Sequence, residues 1–335
     1  MKNLIGQQFI IGLKGKELLD EEAKFITDNN IGGVVLFDRN LESVEQIRKL
    51  CSDLQNLRYK LPNKAPLFIS IDMEGGRVAR LKPPFTRWPA AEKLGHLDST
   101  SVAFKFAQMM AEEMKCVGIN LDFAPCVDVL SNPKNTVIGD RAISSDPEVV
   151  AKMASALSRG FIKGGVIPCA KHFPGHGGTL IDSHEDLPLE DITWQEMTES
   201  SLIPFKKAFR ARLDMVMTAH IKFPQIDPEF PVTLSKKFIQ EIMRGELRYR
   251  NLVISDDLGM KALTLHYEVK EIPILALNAG CSILLFCNDF EQQAISLEVV
   301  YKALENKILD ESLIHDAQTR ILNLKKEKLA LPDPL

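Results

Sequence analysis

Short apolar runs alternate with longer amphipathic stretches along the whole chain. The runs cover residues 8–13, 33–37, 67–72, 120–124, 167–172, 215–220, 252–256 and 282–286. They are rich in Val, Ile, Leu and Phe with little polar alternation, the pattern of strands buried on both faces. Stretches of helical period lie between them. One spans 41–57, with Asn40 as its expected N-cap. The next, 99–116, carries Val102, Phe106, Met110 and Met114 four apart on one face. A third covers 147–163, opened by Asp146 with Pro147 at the first helical position. Stretches 193–211, 235–244 and 291–306 continue the series, and 311–329 predicts a closing helix before Pro332 and Pro334.

Eight strands, each followed by a helix or helical turn, demand a parallel sheet, because every crossover returns the chain to the same end. In 335 residues this predicts an α/β fold, a single (β/α)8 TIM-type barrel with a C-terminal closing helix. A doubly wound open sheet is the rival on pattern alone. No Gly/Ser-rich linker, charge block or internal repeat divides the chain, so residues 1–335 read as one domain. The longest loops, 86–98, 128–145 and 174–191, exceed what connection alone needs and mark where function is expected.

Charge narrows the partners. Lys plus Arg number 41 and Asp plus Glu 45, a net charge of −4. Nothing in that balance draws the whole molecule to nucleic acid or anionic lipid, and the basic segment 325–328 reads as a solvated helix face. No run reaches the ~20 apolar residues of a membrane span, and the first residues lack the apolar core of a signal peptide. The expectation is a cytoplasmic protein. Cys51, Cys116, Cys126, Cys169, Cys281 and Cys287 form no Cys-x-x-Cys pair and mostly sit in apolar runs, as reduced, buried small hydrophobes do.

Ionisable residues gather at the ends of the runs. Asp72 ends the third, Asp122 lies in the fourth with Asp128 after it, Lys171 and His172 end the fifth, His220 the sixth, and Asp256 and Asp257 the seventh. In a parallel barrel these ends open on one face, where active sites form. Asp122 and Asp128 also fit a purely structural role. The densest cluster is Lys171-His172-Phe173-Pro174-Gly175-His176-Gly177-Gly178 followed by Asp182-Ser183-His184. Asp182 and His184, two apart, suit a carboxylate that orients an imidazole for proton transfer near neutral pH. His172 and His176 also have a zinc-like spacing, with Asp182 or His184 as a third ligand, although Lys171 beside them would repel a cation. His176 fits equally well as a loop-stabilising residue, and His96, His266 and His315 read as ordinary surface or packing residues. Neighbours in an extended strand point to opposite faces, so one of Asp256 and Asp257 should enter the site. The residues alone indicate a hydrolase or transferase that uses a carboxylate and a histidine.

The segments Asp72-Met73-Glu74-Gly75-Gly76-Arg77-Val78, Lys171-His172-Phe173-Pro174-Gly175-His176-Gly177, Asp182-Ser183-His184 and Ser255-Asp256-Asp257-Leu258 resemble glycoside hydrolase family 3. The likeness is to its single-domain, cytoplasmic bacterial β-N-acetylglucosaminidases (β-hexosaminidases) and runs from about Leu4 to about Leu324. It implies a retaining exo-enzyme that removes terminal N-acetylglucosamine from 1,6-anhydromuropeptides in peptidoglycan recycling. By resemblance Asp256 matches the nucleophile, His184 the acid/base and Asp182 its dyad partner. Asp72, Arg80, Arg141, Lys171 and His172 match sugar-binding positions. No metal or other cofactor is implied, and the expected partner is a small carbohydrate bound by a monomer. Met73, Ala79 and Gly259 stand where glutamine, a polar residue and serine are common, which touches substrate detail more than mechanism. A phosphorylase on the same barrel is the close rival, because a histidine acid/base does not repel phosphate. A metal-dependent hydrolase is the more distant one.

Overall fold

The computed structural model describes residues 2–211 and 213–329. All eight apolar runs form barrel strands: β1 (Phe9–Gly12), β2 (Gly33–Leu36), β3 (Phe68–Ile71), β6 (Leu121–Asp122), β7 (Ile167–Phe173), β8 (Met215–Thr218), β9 (Leu252–Asp257) and β10 (Ile283–Phe286). A short hairpin, β4 (Met73–Gly75) and β5 (Val78–Ala79), follows β3 and was not signalled by periodicity. The barrel closes in the order β1-β10-β9-β8-β7-β6-β3-β2, all parallel. The open-sheet rival is thereby excluded.

The pleat sorts the strand residues into two cores. Ile10, Val35, Phe68, Leu121, Ile167, Cys169, Met215, Met217, Leu252, Ile254, Ile283 and Leu285 fill the barrel interior. Their sequence neighbours, such as Phe9, Val34, Ile69, Val216, Val253 and Leu284, pack outward against the helices. Period-two alternation is enough to explain this split, and both faces are apolar because both are covered.

The helices follow the predicted order with local corrections. The second-unit helix is Val44–Asn56, and its N-cap is Ser43, whose hydroxyl accepts from Gln46 N. Asn40 is occupied elsewhere: its amide donates to Leu13 O and Gly15 O. In Thr100–Cys116 the residues Phe106, Met110 and Met114 are buried, but Val102 is exposed. Asp146 caps Pro147–Gly164 as expected. The 193–211 stretch is two helices, Trp194–Glu199 and Leu202–Arg210. Pro204 has no N–H to bond back one turn, so it is accommodated in the first turn of a restarted helix. Lys237–Glu246 is wound with the wider π period.

The closing helix, Glu311–Lys328, stops the barrel floor with Ile321 and Leu324, and Leu329 follows. Segment 325–328 is not wholly a solvated face. Lys325 is buried, lies over the Phe68 ring at 4.7 Å and donates to Gln7 Oε1 (2.7 Å) and Gly32 O (2.6 Å). Aliphatic stem and charged tip both find partners there. All six cysteines are free, and of these only Cys116 is exposed.

Candidate active site

The alternation that fills the barrel also arms its C-terminal mouth. Cys169 points inward on β7, so Lys171 does too, and on β9 Ile254 is followed inward by Asp256. Asp72 sits just past β3. Arg80 follows the hairpin strand β5, and Arg141 ends the short turn Gly139–Arg141 within the 128–145 loop. His172, Asp182 and His184 enter from β7 and the loop beyond it. These eight residues, Asp72, Arg80, Arg141, Lys171, His172, Asp182, His184 and Asp256, line one cleft of about 320 Å³. Phe37, Phe123, Met217 and Leu285 give it an apolar floor.

A buried ion network organises the polar wall. Lys171 Nζ lies 2.6 Å from Asp72 Oδ1 and 2.7 Å from Glu74 Oε1. Glu74 in turn receives Arg141 through two parallel bonds, Nε to Oε2 and Nη2 to Oε1, each 2.9 Å. Burial would lift the Glu74 carboxyl, but Arg141 and Lys171 hold it at about 2. Burial would likewise discharge Lys171, yet Asp72 and Glu74 keep its ammonium charged well above the ordinary lysine range. Glu74 stands within the Asp72–Val78 motif and is the one member of this network with no role implied by the resemblance. Its signal was spacing: it stands two residues after Asp72 in extended chain, hence on the same side.

Asp128 is the second buried hub. Its Oδ1 accepts from His172 N (3.1 Å) and His176 N (2.7 Å), and its Oδ2 lies 2.7 Å from His172 Nδ1. Burial opposes its charge, but the two histidines hold the carboxyl well below the usual range. The carboxylate fixes the His172 ring and so sets which nitrogen faces the cleft. Cys126 Sγ, Asp128 and His172 bring three ligand-type atoms within 4.8 Å of one another. Burial pushes the Cys126 thiol far up, and its Sγ donates to Asp128 Oδ2 at 3.3 Å. His176 lies outside this cluster. Its ring contacts Thr179 Oγ1 (2.8 Å) and Ser183 Oγ (3.2 Å), and burial lowers it to about 4. His176 is thus engaged within the loop, whereas His172 faces the cleft.

The 174–191 loop has a locked base and an open tip. Asn132 N donates to Gly177 O (3.1 Å), and Asn135 Nδ2 to His176 O (2.7 Å). A Cβ at Gly177 would fall 1.8 Å from Val129 O, so only glycine permits that approach. Further out, Asp182 Oδ1 accepts from both His184 N and, at 2.9 Å, His184 Nδ1. The His184 side chain is 70% exposed. With Nδ1 engaged, Nε2 is left for proton transfer. Ser183, between them, turns the other way toward His176. His266, expected to be ordinary, reaches Asp186 on the same loop at 2.6 Å.

Asp256 and Asp257 both line the cleft, against the expectation that one alone would enter it, where β9 shifts register against β10 between Ile283 and Leu285. Asp257 Oδ1 accepts from Gly259 N and Cys287 N, both 3.1 Å, and burial raises its carboxyl. Burial opposes the Asp256 charge as well, but His172, His220 and Lys171 keep it below the ordinary aspartate value. Asp122, by contrast, accepts from Met73 N (2.9 Å) and stays outside the cleft lining; burial raises it well above the usual range. His220 is held between Thr233 Oγ1 (2.7 Å) and Asp257 O (3.0 Å).

A parallel eight-stranded barrel with carboxylates, a His–Asp dyad and a cationic wall at its C-terminal mouth defines a barrel hydrolase site. Residues 4–324 match the glycosyl hydrolase family 3 N-terminal domain. The chain belongs to glycosyl hydrolase family 3 and is a glycoside hydrolase. It is 37% identical over 327 residues to a β-hexosaminidase of Haemophilus influenzae, covering 96% of this chain and 89% of that one. A family 3 β-N-acetylglucosaminidase from Paenibacillus superposes with a TM-score of 0.96 at 36% identity. That match covers 100% of this chain, which spans 64% of the length of the Paenibacillus chain. NagZ from Neisseria gonorrhoeae superposes with a TM-score of 0.77 at 31% identity, covering 95% and 98% of the two chains. Among the described residues no helix is long and apolar enough to cross a membrane.

Proposed function

We propose that this chain is a retaining exo-β-N-acetylglucosaminidase acting by double displacement, as one catalytic barrel domain. The observation that carries the reading is the meeting, in one cleft, of a charged Asp256 with the Asp182–His184 pair and the Lys171–Glu74–Arg141 wall. The relatives named β-hexosaminidase and β-N-acetylglucosaminidase support the choice of sugar.

In the first step an Asp256 carboxylate oxygen bonds to the anomeric carbon as the glycosidic C–O bond breaks. Protonated His184 gives its Nε2 proton to the leaving oxygen. The product is a glycosyl ester on Asp256. In the second step neutral His184 takes a proton from water while the water oxygen bonds to the anomeric carbon and the ester C–O bond breaks. Two inversions give net retention. Here an imidazole stands where most retaining enzymes place an acid carboxyl, and Asp182 stabilises the imidazolium that forms. Asp72, Lys171, His172, Arg80 and Arg141 would hold hydroxyl and acetamido groups of the sugar as fixed, charged hydrogen-bond partners. Lys171 also favours ionised Asp256. This chemistry uses no metal.

The substrate in this reading is a β-N-acetylglucosaminyl-1,6-anhydromuropeptide released during peptidoglycan recycling, handled by a cytoplasmic monomer. An exposed imidazole beside the attacking water would also accept phosphate as the nucleophile, so one experiment decides both points. Turnover of an aryl β-N-acetylglucosaminide is measured with and without phosphate, and the anomer first formed is followed by NMR. Phosphate-independent release of β-N-acetylglucosamine is expected. Strict phosphate dependence, or an α-anomer formed first, overturns the reading.

A further inference from the structure

A second cavity of about 390 Å³ adjoins the active-site cleft, and among the described residues Arg80 is the only side chain that lines both. Arg80 is held between the two spaces. Its Nη1 donates to Asp38 Oδ2 at 3.1 Å, its Nη2 lies 4.0 Å from Asp72 Oδ2, and its guanidinium stands over Phe37 at 5.6 Å. Asp38 follows β2 and faces the second cavity, whose walls include Leu41, Pro84 and Phe85.

Barrel order fixes which end of the sugar meets this wall. In the closed circuit β3 lies four strands from β9, and β2 lies four from β8. The anomeric carbon must sit at Asp256 on β9, with the leaving group toward His184 beyond β7. The opposite, non-reducing end of the ring then points across the mouth to β3 and β2, where Asp72, Arg80 and Asp38 stand. A further sugar attached at that end would run through the Asp38–Arg80 pair into the second cavity.

We propose that the Asp38–Arg80 ion pair is the end wall of the sugar site and restricts the enzyme to unextended, terminal N-acetylglucosamine. The second cavity is a latent subsite for one more pyranose. Asp38 is a specificity residue that acts by positioning Arg80 and by filling the gap. This rests on the glycosidase reading above.

The test compares wild type, Asp38→Ala and Asp38→Asn on aryl β-N-acetylglucosaminide and on aryl β-chitobioside, with products separated by chromatography. Wild type should cut the chitobioside only at its terminal sugar, forming no chitobiose at first. Asp38→Ala should release intact chitobiose and the aryl group in one step, raising that route at least about tenfold, the scale of one steric block in a subsite. Asp38→Asn keeps the volume but loosens Arg80, so it should raise KM for the single-sugar substrate without forming chitobiose. Asp38 is 55% exposed, so neither variant should shift the melting temperature. Single-sugar activity at wild-type level with no chitobiose from Asp38→Ala overturns the wall. Inactivity of wild type itself on the single-sugar glycoside overturns instead the glycosidase reading.

Discussion

Glu74 sits between two buried cations, and removing its charge leaves both without their shared partner. Breaking a buried pair from one side costs roughly 3–5 kcal/mol. Glu74→Gln should therefore lower stability by an amount in that range and raise KM for the glycoside far more than it lowers kcat, because Lys171 and Arg141 lose their aim. Acid titration gives an independent readout. The folded carboxyl lies at about 2, below its ordinary 4.5. Its contribution is complete above about 4.5 and is lost as pH falls toward 2. Denaturant unfolding at pH 7 and pH 3 should show wild type losing its margin over Glu74→Gln; an unchanged gap contradicts the assignment. Strand-end placement and spacing singled out Asp72, Lys171, His172, Asp182, His184 and Asp256, the family resemblance added Arg80 and Arg141, and all eight residues face one cleft. Glu74 and Asp38 were not singled out, because their importance lies in partners at 67 and 42 residues' separation.

At the level of elements, every barrel strand was legible, because burial on both faces writes itself as an unbroken apolar run. Helix ends were less so. Asn40 and Ser43 are both good caps by residue type, and what separates them is Asn40's bonds to the β1 loop, a tertiary matter. The closing helix holds the clearest surprise. Composition marks 325–328 as basic and solvated, whereas Lys325 plugs the barrel floor with no carboxylate beside it among the described residues. Burial lowers its ammonium to about 7. Between about 7 and its ordinary 10.5 the unfolded chain binds a proton that the folded chain does not, so this residue makes stability rise with pH. Lys325→Met removes that slope while leaving Gln7 Oε1 and Gly32 O without their donor. Melting temperatures at pH 7 and 9 should show wild type gaining on Lys325→Met at the higher pH; a constant difference contradicts a depressed Lys325.

For the whole molecule, one periodicity does two jobs. The two-residue alternation that packs Ile254 and Cys169 into the barrel also delivers Asp256 and Lys171 to its mouth. The loop that carries His184 is tied at its base and through Ser183 and Asp186, while the His184 side chain itself stays exposed, so in the proposed mechanism the barrel presents the nucleophile rigidly and the acid/base on a more open side chain. The net charge of −4 concealed this arrangement, because opposite charges cancel in a sum and matter only by position. Fold and site class were readable from pattern and motif; the shared carboxylate, the end wall and the buried floor lysine required coordinates. The central claim is that Asp256 is the nucleophile. The most direct test is to treat the protein with a slow 5-fluoro N-acetylglucosaminyl fluoride, digest it, and locate the labelled peptide by mass spectrometry. A glycosyl adduct on Asp256, absent from Asp256→Ala, is the expected result. An adduct on another residue, or turnover of aryl glycosides by Asp256→Ala at the wild-type rate, would contradict the account.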